Sequence, residues 1–131
     1  MTKAEVYADI QQTFGLVPEF IKSIPESSLE QEWTLMKTIQ LADGAIPQKY
    51  RELIGIGIAA ATHCRFCIYF HSVAAKLMGA TDEEIQAALQ YAKTTTGWST
   101  YINGMQIDFE TFKAEMNQIA DHIRNQMAAQ A

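Results

Sequence analysis

The sequence is poor in cysteine, in proline and in positive charge. Two cysteines among 131 residues are too few for a disulfide scaffold. Ten basic against fifteen acidic side chains leave a formal charge of −5. A phosphate-rich partner needs clustered Lys and Arg, so neither nucleic acid nor an anionic membrane surface is an expected partner. No apolar run is long: the strongest, residues 53–61, falls well short of the ~20 residues that cross a bilayer. Residues 1–5 carry no apolar h-region, so a secretory signal is not expected and a cytoplasmic location is. Low-complexity segments, long linkers and internal repeats are missing as well. With 48% hydrophobic and 19% charged residues, the composition is not that of a disordered chain. The length suits one domain, residues 1–131, which would bury roughly two-thirds of its unfolded surface.

What is present is helical periodicity, with no convincing strand. Thr2 and Glu5 have the spacing of a capping box; Val6, Ile10 and Phe14 then recur every four residues, and Gly15 stops the helix. Pro18 suits the first turn of a short helix through Phe20 and Ile21, closed before Pro25. Ser27 and Ser28 are candidate caps for a third helix carrying Leu29, Trp33, Met36 and Ile39, ending near Asp43-Gly44. Pro47 opens a fourth through about Thr62, apolar or small on all sides along residues 53–61, and therefore expected to be central. Gly55 and Gly57 each cost that helix roughly 1 kcal/mol relative to Ala, which predicts close approach by a neighbouring helix. A fifth helix is predicted over 64–78, stopped by Gly79. Thr81 and Glu84 form a second capping box before a helix carrying Ile85, Ala88, Leu89 and Ala92. Thr94-Thr95-Thr96-Gly97 reads as a break, with 98–104 ambiguous beyond it. The last helix carries Phe109, Phe112, Met116, Ile119 and Ile123, a stripe that packs on a partner helix of this or another subunit. The expected architecture is a single all-α bundle.

The two cysteines stand three apart, in Cys64-Arg65-Phe66-Cys67, at the predicted start of the fifth helix. One helical turn between them lets the sulfurs close a small ring. A helix N-terminus stabilises a thiolate at the nearer sulfur, and the thiolate is the reactive form. His71, four after Cys67 and seven after Cys64, shares their face and offers a proton acceptor and donor. His63 is four before Cys67 but lies at the helix boundary. Redox chemistry competes here with two inert buried thiols, with a hydrogen-bonded core histidine at position 71, and with a zinc or redox-sensing site on the same Cys/His cluster. Zinc motifs usually supply a second Cys or His pair, which this chain lacks. A thioredoxin fold needs a strand before the C-x-x-C, and none precedes it. Glu52, twelve residues before Cys64, reaches the sulfurs if the fourth and fifth helices form a hairpin. Composition alone favours a solvated Glu52 paired with Lys49.

Glu52, eleven residues, Cys64-x-x-Cys67, three residues and His71 together resemble the signature of the AhpD-like alkylhydroperoxidases, within the carboxymuconolactone decarboxylase superfamily. The flanks agree: Arg51-Glu52-Leu53-Ile54 entering an Ala-rich helix, His71-Ser72-Val73-Ala74-Ala75-Lys76, Gly79-Ala80-Thr81 and Glu84-Ile85. The likeness is strongest over about 47–89 and weak at the termini. It implies an all-α fold assembled as a trimer or hexamer, and an antioxidant thiol peroxidase or disulfide reductase needing no bound cofactor or metal. Its partners would be a hydroperoxide or disulfide substrate and a thiol or dithiol electron donor. By the same resemblance Cys64 and Cys67 are the redox pair, Cys67 attacking and Cys64 resolving, and Glu52 and His71 the proton relay. One departure stands out: peroxidase members carry His directly before the second cysteine, where this chain has Phe66. That implies a shorter relay or slower peroxide turnover. Decarboxylase relatives lack the C-x-x-C pair, so lactone decarboxylation is not implied.

Overall fold

The computed structural model describes residues 1–131, and every regular element in it is helical. The elements are α1 (Lys3–Phe14), α2 (Glu19–Lys22), α3 (Glu26–Leu35) running into a π-helical segment (Met36–Leu41), α4 (Gln48–Ala61), α5 (Arg65–Leu77), α6 (Asp82–Gly104) and α7 (Phe109–Ala129). The chain ends of these helices follow ordinary capping chemistry. Thr2 and Thr81 both form complete capping boxes, with Glu5 and Glu84. Gly15 and Gly79 take left-handed φ values of +81° and +87°, which spares a Cβ clash where α1 and α5 stop. Pro25, rather than Ser27 or Ser28, occupies the cap of α3, and Ser28 Oγ donates back to the Pro25 carbonyl at 3.2 Å.

Two cores form. The first joins α1, α2 and α3 through Val6, Ile10, Ile21, Leu29 and Trp33. Trp33 meets Phe14 edge-on with centroids 5.3 Å apart. Its indole N–H donates to Asp9 Oδ2 at 2.8 Å, and the Lys37 ammonium donates to the same oxygen at 2.5 Å. The second core joins α4, α5 and α6 through Ile56, Ala75 and Ala80, with Leu53 and Ile85 against them. Arg51 on α4 ties the two regions together: its guanidinium donates to the carbonyls of Ile39 and Ala42 at the end of the π-helical segment, at 2.8 and 2.6 Å.

Two expectations change and a third narrows. α6 does not break at Thr94-Thr95-Thr96-Gly97 but continues through residues 98–104 to Gly104. The threonine hydroxyls find partners inside the helix, Thr96 donating to the Ala92 carbonyl at 2.8 Å and Thr100 to the Thr96 carbonyl at 3.0 Å, so they do not compete with it. α4 is buried along one stripe only, Glu52, Gly55, Ile56 and Ala59, a 3–4 spacing; Ile54 and Ile58 on its outer side are 49% and 60% exposed. Finally, α7 has no buried residue, and its stripe of Phe109, Met116, Ile119 and Ile123 faces solvent in the protomer. No helix is long and apolar enough to cross a membrane.

Candidate active site

The antiparallel pair α4 and α5 is joined by a short turn, Thr62, His63 and Cys64. His63 takes φ +57°, the left-handed backbone that lets the chain reverse. The Cys64 N–H then donates to the Ala59 carbonyl at 3.0 Å, closing α4, while Cys64 itself becomes the N-cap of α5. The cap acceptor, normally an oxygen, is here a sulfur: Cys64 Sγ receives the Cys67 backbone N–H at 3.3 Å. The two sulfurs are free thiols in close contact, 2.6 Å apart, and both are half-buried.

That arrangement separates the thiols electrically. The Cys67 thiol, then the Cys67 and Phe66 backbone N–H groups, donate towards Cys64 and hold its pKa below the ordinary thiol value. Cys67 shifts the other way, because its proton is engaged by Cys64, with partial burial adding to the effect. The pair therefore sheds its first proton early, with the charge centred on Cys64, and keeps its second late.

One turn further along α5, the His71 imidazole Nδ1 meets Glu52 Oε2 at 2.7 Å. Glu52 is 5% exposed, on the buried stripe of α4. The solvated Glu52–Lys49 pair expected from composition does not form: Lys49 reaches across to Glu84 on α6 at 3.1 Å. Gly55 explains how the histidine fits. A Cβ at Gly55 would lie 2.6 Å from His71 Nδ1 and 2.7 Å from Cγ and Cε1, so only glycine admits the ring between the helices. Gly57 has no such role, since a Cβ there would meet Ala92 at 3.9 Å, ordinary contact. The Phe70 ring stands edge-on to the imidazole with centroids 5.2 Å apart. No three His, Cys, Asp or Glu side chains converge as metal ligands. Phe66, where the peroxidase signature has histidine, lies 75% exposed with the Arg65 guanidinium 5.3 Å from its ring centre. Gly55 is the residue that sequence reasoning placed in a close helix contact without seeing that the contact was His71.

Comparison with known proteins gives the family and the fold. The model of the carboxymuconolactone decarboxylase family matches residues 28–108, which include Glu52, Cys64, Cys67 and His71. The chain belongs to the carboxymuconolactone decarboxylase family. Within it the likeness is to the AhpD branch. The crystal structure of the alkylhydroperoxidase AhpD core from Rhodospirillum rubrum superposes with a TM-score of 0.73 at 25% identity, over 83% of this chain and 84% of that one. An alkyl hydroperoxide reductase of Mycobacterium tuberculosis is 30% identical over 81 residues, 60% of this chain but 23% of that protein, so the match spans under a quarter of that relative. Uncharacterized protein 4 in the cox locus of Paracoccus denitrificans is 29% identical over 75 residues, 57% of this chain and 68% of that protein. The all-α architecture of this family member is thus that of an AhpD-like protein.

Proposed function

We propose that this family member is an antioxidant dithiol oxidoreductase that reduces hydroperoxides at Cys64 and Cys67 and is recharged by a thiol or dithiol donor. The observation that carries the reading is the unlike pair of sulfurs 2.6 Å apart, one helical turn from His71 and its buried partner Glu52. The likeness to an alkyl hydroperoxide reductase of Mycobacterium and an alkylhydroperoxidase of Rhodospirillum favours the peroxide as oxidant.

In the working form one proton and one negative charge are shared between the sulfurs. Cys67 passes its proton to Cys64 and attacks the terminal oxygen of ROOH. The S–O bond forms, the O–O bond breaks, and the alkoxide leaves as ROH with the proton from Cys64. Cys64, again a thiolate, attacks the sulfenic sulfur. The S–S bond forms, the S–O bond breaks, and hydroxide leaves as water with a proton delivered through His71 and Glu52. The dithiol has lost two electrons and the peroxide has gained them. A donor thiolate then attacks Cys67, because the more acidic Cys64 is the better leaving group, and a second donor thiol completes the reduction. Phe66 supplies no proton transfer, so the relay consists of Glu52 and His71 alone. The same chemistry accepts a disulfide in place of the peroxide.

The reading includes a homo-oligomer, trimeric or hexameric as the resemblance implies. Only 11 of 131 residues are buried in the protomer, and apolar faces on α4, α5 and α7 stay open, which favours burial between copies.

The test measures hydroperoxide loss and disulfide reduction separately in the Cys64→Ser and Cys67→Ser proteins. Both activities should vanish in both variants. A nucleophilic sulfenic-acid trap added with peroxide should mark Cys67 in Cys64→Ser and nothing in Cys67→Ser. Undiminished peroxide loss in both variants would sink the proposal.

A further inference from the structure

A concavity reaches the dithiol turn at His63. It is a cavity of about 440 Å³ between the end of α4 and the middle of α6. Its apolar wall is Ala60, Ala61, Leu89 and Ala92, and its polar groups include His63 and Lys93. Three observations single it out. First, the chain carries fifteen carboxylates, yet none lines this cavity. Secondly, Lys93 is the one lysine with neither a carboxylate partner nor an aromatic ring. Lys22, Lys37, Lys49, Lys76 and Lys113 form ion pairs, and Lys3 sits over Tyr7. Thirdly, His63 holds a left-handed φ where glycine would serve the turn best, so the turn itself does not call for an imidazole. That imidazole lines the cavity one residue before Cys64.

Resting on the dithiol reading above, we propose that this cavity is a subsite for the carboxylate end of the oxidised substrate, an amphipathic monocarboxylic acid bearing the hydroperoxide or disulfide. Lys93 supplies the counter-charge and His63 a hydrogen bond. The small-residue wall of α4 with Leu89 and Ala92 takes the apolar body. One lysine matches one negative charge, and the volume falls within the ~300–1,000 Å³ of small-molecule sites.

The test compares the reduced protein's rate constants with two aromatic disulfides, dithiobis(nitrobenzoate), which carries carboxylates, and dithiodipyridine, which does not. The ratio of the two should fall about fivefold in Lys93→Met, the scale of one solvent-screened ion pair. It should fall by less in His63→Asn, whose side chain tolerates the left-handed backbone. Lys113→Met removes the same charge from α7 and should keep the wild-type ratio. An equal ratio in Lys93→Met and Lys113→Met would overturn the subsite. A second readout does not need reactive thiols. Benzoate titrated into the Cys64→Ser, Cys67→Ser double variant should shift the backbone amide signals of Ala92 and Lys93. Failure of both disulfides to react in the wild type would reject the dithiol reading and leave the benzoate result to decide the subsite. No shift with benzoate would reject the subsite while leaving the dithiol standing.

Discussion

The two cores of the molecule are built from opposite materials. Around α1 to α3, large side chains interlock: Ile10, Ile21, Leu29 and Trp33 are buried, and the one carboxylate among them, Asp9, holds the tryptophan N–H and a lysine at the rim. Around α4 to α6, the buried positions besides Glu52 are Gly55, Ala59, Ala75 and Ala80, with Ile56 the only large apolar residue. Small residues bring helix axes together, and the space so defined is given to a carboxylate and an imidazole. The first region earns stability from apolar volume. The second gives up volume to fix Glu52 against His71 one turn from the sulfurs. Polar groups serve the two regions differently as well: Asp9 anchors a side chain, whereas Glu52 and His71 hold each other, and under the proposed function they orient a proton path.

The largest expected effect comes from emptying the first core. Trp33→Ala removes the largest buried ring together with its edge contact to Phe14, and should cost about 3–5 kcal/mol. Thermal melting would record it. If the regions are distinct supports, thiol reaction rates at low temperature stay close to wild type; a matching loss of thiol reactivity would break the comparison. In the second core the damaging change is enlargement. Gly55→Ala places a Cβ 2.6 Å from the His71 ring, so the ring leaves Glu52 or α5 shifts. Overpacking of this kind costs about 1–3 kcal/mol. Because a positioned acid–base group is worth ~10²–10⁴ in rate, hydroperoxide turnover should drop at least tenfold at temperatures where the variant is fully folded. Wild-type turnover in folded Gly55→Ala would show that the Glu52–His71 contact is not part of the chemistry.

Much of this was legible in the sequence, for identifiable reasons. Helix boundaries at Gly15, Pro47, Gly79 and Thr81 are local chemistry, and the structure agrees with them to within a residue or so. The spacing of Cys64, Cys67 and His71 puts them on one face whatever surrounds the helix. Glu52 was harder. It shares a stripe with Gly55, Ile56 and Ala59, a pattern present in the sequence, but a carboxylate on that stripe is normally solvated. Its burial depends on the register of α4 against α5, which sets His71 over Gly55, and register between helices leaves no local trace. The continuous α6 was missed for a different reason: Thr94 to Gly97 has low helix propensity, and the hydroxyl-to-carbonyl bonds that sustain it appear only once the helix exists. The stripe of α7 faces solvent in the protomer, and its spacing alone does not say on which chain a partner helix would lie.

The smallest effects are those of pH, and they separate the regions by sign. In the first region, Asp9 is held below the ordinary carboxylate range, chiefly by the Lys37 hydrogen bond and then by that of Trp33. A depressed folded-state pKa stabilises the fold above the unfolded value, ~3.9, and that contribution disappears as pH falls through the folded value. Asp9→Asn should therefore lower the melting temperature at neutral pH, and the difference from wild type should close in strong acid. In the second region the shifts lie on either side of the ordinary thiol value. Cys64 is lowered by the Cys67 thiol hydrogen bond, and Cys67 is raised by the same bond. The single-proton form thus persists across a window that brackets ~8.5, and turnover should rise below that pH and fall above it. Asp9→Asn should leave this bell unmoved, because Asp9 belongs to the other core. Displacement of the bell by Asp9→Asn would mean that the cores communicate, with Arg51, which joins α4 to the end of the π-helical segment, as the contact to change next.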